Sequence, residues 1–194
     1  MKRYLIFCML LTGAVAAAGC SGNRSLHSPV RNDIRPARAE PSPVPPGHAD
    51  LTIVSSLKTH LPGAHSFGTM NHGTNDYQIA VTVNGEEFRL RGELREEKSA
   101  PRGIGDPEAG RGIRYLFRKE LRLKAGVHRV VAAIPGDGVR VGGEIRLAEG
   151  SSSTLTLEPL YRATSLRSRP AAYGRTSFLE GVKGFRLRHA GGEP

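Results

Sequence analysis

Three histidines, His60, His65 and His72, fall within one glycine-bearing stretch, with Met70 and Asp76 close by. Imidazole, thioether and carboxylate groups are donors to transition metals, so a chain that brought them to one point would hold an ion there. Their spacings of five and seven residues match no metal motif, and a glycine-bearing loop fixes no coordination geometry. The stretch therefore reads as a polar surface loop, and no metal is expected. His128 follows a turn at Gly126 and opens an apolar run, a position where the ring packs at a sheet edge and bonds a local carbonyl. To work as a general base it would need a carboxylate to orient it and a nucleophile to activate. Ser151, Ser152 and Ser153 sit in a turn without the G-x-S-x-G frame of a nucleophile elbow. Glu86 and Glu87 are neighbours on a strand, so they point to opposite faces and cannot flank one bond. Gly103, Gly105, Gly110 and Gly112 lack the spacing, the lysine and the following helix of a phosphate cradle. No catalytic residues and no cofactors are expected, and the chain reads as a non-enzyme.

Those residues are carried by 194 positions, room for one ordinary domain and its tails. Lys and Arg number 28 against 18 Asp and Glu, for a formal charge of +10, yet the surplus is uneven. Residues 49–162 are nearly balanced. Residues 20–48 carry four arginines against two acids, and the last 32 residues carry six basic residues (Arg167, Arg169, Arg175, Lys183, Arg186 and Arg188) against two acids. A basic chain raises the question of nucleic acid, but there is neither a recognition motif nor an aromatic platform, and no nucleic-acid partner is expected. The basic tail reads first as a solvated segment; the alternative is contact with anionic lipid or lipopolysaccharide headgroups, which attract such segments by about 1 kcal/mol per charge near a surface.

The N-terminus reads as an export signal. Lys2 and Arg3 precede an apolar run ending near Ala18, too short to span a bilayer comfortably and followed at once by Ser21, Gly22, Asn23 and Arg24. The run closes on Ala17-Ala18-Gly19-Cys20, which resembles the lipobox of bacterial lipoproteins. That resemblance implies cleavage after residue 19, a diacylglyceryl group on Cys20, and an outer-membrane destination because Ser21 rather than Asp follows. Two or more acyl chains hold a protein on a bilayer where one does so only marginally. With Cys8 discarded and Cys20 acylated, the mature chain would have no thiol for a disulfide, a nucleophile or a metal. Residues 21–48 hold six of the thirteen prolines and few aliphatics. Such a segment cannot offset its ordering entropy, and a disordered tether is expected with a reach of about 30 Å as a flexible coil.

From Tyr77 onward the apolar period is two. Tyr77, Ile79, Val81 and Val83 alternate with polar residues, Asn84-Gly85 follows, and Phe88, Leu90 and Leu94 resume the alternation. Asn-Gly between two such runs predicts a hairpin with a type I′ turn. The stretch 96–112 is polar with Gly and Pro and predicts a long mobile loop. Strands follow over Ile113 to Leu123, Val127 to Ile134, Val139 to Leu147 and Leu155 to Tyr161, with Leu51 to Val54 as a first strand. That is about seven strands with no helical stripe, the pattern of a single Ig-like β-sandwich over 49–162. In the extended tail, 163–194, Phe185 and Leu187 alternate with Arg186 and Arg188, and a terminal strand would pair with an exposed sheet edge, of this domain or of a partner.

Val81-Thr82-Val83-Asn84-Gly85-Glu86, then the Leu121 to His128 and Ile145 to Gly150 segments and Leu155-Thr156-Leu157, resemble the PEGA-type domains of bacterial envelope proteins. The resemblance spans 77–161, lacks the Pro-Glu-Gly-Ala string, and departs at the insertion 96–112. It implies a small Ig-like sandwich that binds or supports, with no catalytic residues to carry over. The expected protein is a lipid-anchored envelope module whose partners are the membrane and another envelope protein. The alternative is a carbohydrate-binding module, for which Tyr115 and Tyr161 would be the stacking residues.

Overall fold

The computed structural model describes residues 43–63, 71–103, 106–162 and 178–191. They form an all-β sandwich of nine strands: β1 (His48–Thr59), β2 (Gln78–Val83), β3 (Glu86–Arg91), β4 (Glu93–Ser99), β5 (Gly110–Lys124), β6 (Gly126–Ile134), β7 (Val139–Leu147), β8 (Ser152–Tyr161) and β9 (Val182–Ala190). One sheet has the order β4-β5-β1-β8-β9 and the other β3-β2-β6-β7. All pairings are antiparallel except β1 with β8.

Alternation decides which side of each sheet meets the other, because successive side chains on a strand leave opposite faces. On β1 it is Ala49, Leu51, Ile53 and Leu57 that are fully buried, on β2 Ile79 and Val81, on β6 Val130, Ala132 and Ile134, and on β8 Leu155 and Leu157. These join one core with Tyr115 and Phe117 of β5. Burying an aliphatic or aromatic side chain of this size stabilises by roughly 1.5–3 kcal/mol, so the shared core is the main force holding the sheets together.

The hairpin at Asn84-Gly85 forms as the sequence predicts: Asn84 has φ 51°, Gly85 φ 93°, and Val83 pairs with Glu86. Its second strand is shorter than the alternation suggests. At Gly92 the chain leaves one sheet and enters the other, so Leu94 belongs to β4, which pairs with β5. The expected loop 96–112 is corrected accordingly. Glu96 to Ser99 complete β4, Gly110 to Gly112 begin β5, and only the residues between are a connection. A charged edge strand carries little apolar signal, which is why its residues passed for loop. The sandwich also continues past residue 162. The alternation around Phe185 and Leu187 is part of β9, which pairs with β8 of the same chain. The expected signal peptide, Cys20 and the expected tether up to residue 42 lie outside the described residues, as do 163–177 of the tail.

Candidate functional site

At one end of the sandwich three connections meet around a carboxylate. The Pro135-Gly136-Asp137-Gly138 turn links β6 to β7 and turns Asp137 inward, 7% exposed. Asp137 Oδ1 lies 2.7 Å from His72 Nε2, while Oδ2 accepts from the Tyr77 hydroxyl at 2.8 Å and from the Val182 backbone N–H at 3.4 Å. Arg162 donates to the Asp137 carbonyl at 2.5 Å. An ionised carboxylate accepts only, so the hydrogen between Asp137 and His72 belongs to Nε2. His72 Nδ1 then faces inward with no hydrogen-bond partner among the described residues. The His72 ring meets that of Tyr77 edge-on at 4.9 Å and that of His60 at 4.8 Å, and Tyr77 packs on Tyr115 at 5.1 Å. Burial, reinforced by the Asp137 charge, pushes the Tyr77 phenol far above its ordinary range, so it stays a donor. Burial likewise raises Tyr115 to about 12, and its hydroxyl donates to the Thr74 carbonyl at 2.7 Å.

A histidine oriented by a carboxylate is the geometry of a general base, and a base acts only on a proton within reach. The buried Nδ1 has no hydroxyl bonded to it here, and the Asp137 carboxylate is occupied by three donors from two other chain segments. The arrangement works as a latch between the 71–77 connection, the β6–β7 turn and the start of β9.

Outside this latch, the outer face of the four-stranded sheet carries a groove of about 640 Å³. Asn71, His72 and the Pro135 to Asp137 turn close one end of it; Ala80 and Ala133 lie in it with Arg89 and Arg140.

A second polar cluster lies on the outer face of the five-stranded sheet, beneath the β4–β5 connection. The Lys58 side chain is fully buried; its Nζ donates to the carbonyls of Gly110 and Glu108 at 2.6 and 2.9 Å and to Ser99 Oγ at 3.1 Å. It stands 4.8 Å from the Phe178 ring centre, and Phe178 is tied to the connection through its N–H to the Pro107 carbonyl at 2.9 Å. Arg114 bridges Glu97 at 2.7 Å and Glu108 at 2.6 Å, and Tyr161 donates to Glu108 while accepting from the Lys58 N–H. The bond from Arg114 holds Glu97 down to about 2 against the opposing effect of burial, helped by Ser99 and Lys58. Burial opposes the Arg114 charge, but Glu108 and Glu97 outweigh it and raise its value. Burial lowers Lys58, with Glu97 resisting. Every charge in the cluster is paired, which is the condition for keeping charges out of water.

The expectations for single residues fare differently. His60 and His72 are not in a surface loop; they are 4% and 3% exposed, drawn inside by the latch and by ring packing. His65 and Met70 lie outside the described residues, and Asp76 is exposed. No group of three or more metal-ligating side chains occurs among the described residues. His128 bonds the Lys124 carbonyl through Nε2 and the Asn84 side chain through Nδ1, both at 2.8 Å. Ser151 Oγ donates to the Ala148 carbonyl at 2.6 Å, and Ser153 turns into the core. Glu87 is exposed beside Arg89, whereas Glu86 lies on the other face of β3. Tyr115 and Tyr161 are buried at 0% and 4%, so neither can stack on a sugar, and the glycan reading loses those residues. Arg186 and Arg188 contact Glu158 at 3.5 and 2.6 Å, so these two basic residues sit on the sheet rather than on a free tail. Asp137, Tyr77, Lys58 and Glu108 were missed as partners. Each stands in a turn or strand whose local pattern is ordinary, and only the fold joins them.

No protein-family model matches this chain, and neither does any curated protein sequence.

Proposed function

We propose that this chain is an envelope lipoprotein, acylated at Cys20 after loss of residues 1–19, which holds its β-sandwich near the outer membrane as a non-catalytic module that binds another envelope protein. One observation carries the reading: Ala17-Ala18-Gly19-Cys20 stands where an apolar run of signal-peptide length ends. The fold supports it, since the first strand begins at His48 and leaves residues 21–47 between the acylated cysteine and the sandwich. Its polar clusters are knit into the packing, the condition of a module that presents surfaces.

The test is metabolic labelling with palmitate of cells expressing the full chain or its Cys20→Ser variant, with and without a globomycin-type inhibitor of the lipoprotein peptidase. The expected result is label on the wild type only and accumulation of a larger precursor under the inhibitor. Unchanged processing under the inhibitor, or label retained by the Cys20→Ser variant, overturns the proposal. Crosslinking in intact cells then reads out the partner.

A further inference from the structure

The groove on the four-stranded sheet has a regular construction. Ile79, Val81 and Val83 of β2 face the core, so Gln78, Ala80 and Thr82 face outward. In register, Arg89 pairs with Ala80, Ala80 with Ala133, and Ala133 with Arg140. One row straight across the sheet therefore reads Arg, Ala, Ala, Arg. With neighbouring strands about 4.8 Å apart, the α-carbons of the two arginines stand about 14 Å apart, with only methyl groups between them. The adjacent row places Thr82 between Glu87 and Val131.

Both guanidinium groups are open to a ligand. Arg140 is exposed and has no ion pair among the described residues. Arg89 meets Glu87 at 3.4 Å, but those side chains are 74% and 54% exposed, and pairs of that kind contribute little. Two planar forks lining one groove, with alanine methyl groups on the floor between their strands, suit a carboxylate or a phosphate. The groove is not uniformly basic, however: Glu87 and Asp76 line it as well. A bare polyanion would meet those carboxylates, whereas hydroxyl groups would donate to them. Gln78 and Thr82 add further donors and acceptors at the same level. The buried Asp137 latch fixes the closed end, so the wall is in place before anything binds.

We propose that this groove binds an acidic saccharide, with the sugar's carboxylate or phosphate held between Arg89 and Arg140 and its hydroxyls bonded to Gln78, Thr82 and Glu87. The site is independent of Cys20 and of any partner protein, so it stands or falls apart from the anchor.

The experiment uses the full chain in detergent micelles and titrates it into three fluorescent oligosaccharides: an oligogalacturonate, a phosphorylated oligomannoside and neutral maltohexaose. Saturable binding of an acidic probe is expected, with no binding of the neutral one. Arg89→Gln and Arg140→Gln should each weaken it about tenfold, the double variant should abolish it, and Ala133→Phe should block it by filling the floor. Arg118→Gln, on the opposite sheet, should change nothing. Response to the galacturonate alone assigns a carboxylated glycan, response to the mannoside alone assigns a phosphorylated one, and response to both assigns the shared anion. Failure of both acidic probes to bind, or binding that survives in the double arginine variant with circular dichroism unchanged, overturns the proposal.

Discussion

Asp137 takes in three donors from segments far apart in the chain, and its value to the fold is set by what those donors would face without it. Asp137→Ala leaves a buried imidazole N–H, a phenol and a backbone N–H unpaired, and a loss of about 3 kcal/mol in urea unfolding is expected. Glu97 makes a pH-dependent contribution. Its folded value near 2 lies below the ordinary 4.5, so its stabilisation is complete above the ordinary value and drains away as pH falls from about 4.5 to 2. Glu97→Gln should lower stability at neutral pH and flatten the slope of unfolding free energy across that window. Little of this was legible in the sequence. His60 and His72 looked like surface histidines because nothing within ten residues of either announces a buried acid; Asp137 is 65 positions from His72 and sits in a stretch whose composition says only turn. His128 was readable, since its partner carbonyl is four residues away.

Among the elements, the Asn84-Gly85 hairpin was plain because its signal is local: two positive φ angles between two alternating runs. The switch at Gly92 was not, because alternation continues across it and only the change of sheet reveals the break. β4 was hidden by its own charges. Its Glu93, Arg95, Glu96 and Lys98 are exposed, as an edge strand requires if it is not to recruit another chain. At the other side of the β4–β5 connection, Gly112 lies where a methyl group would come within 2.4 Å of the Thr59 carbonyl and 2.9 Å of both Lys58 and Phe178. Gly112→Ala should therefore cost about 3 kcal/mol and speed proteolysis between residues 99 and 110, as the roof over Lys58 lifts. Lys58→Met, which keeps volume but leaves the Glu108 and Gly110 carbonyls without their donor, should destabilise by about 2 kcal/mol in the same assay.

For the molecule as a whole, class and core were the legible part: Leu51, Ile53, Ile79, Val81, Leu155 and Leu157 declare an all-β body by alternation alone, and they do line its interior. Topology was not, because nothing in the first strand says that its neighbours will be β5 and β8. Leu51 pairs with Leu121 on one side and Ser153 on the other. The earliest-made ribbon thus sits at the middle of the larger sheet, next to ones synthesised some seventy and one hundred positions later. Assembly is accordingly dominated by distant encounters, a slow class of folding reaction. A nascent chain stalled before residue 150 would offer β1 a neighbour on only one flank, leaving its other row of backbone groups open to stray pairing. That flank stays open until the eighth strand arrives and closes it.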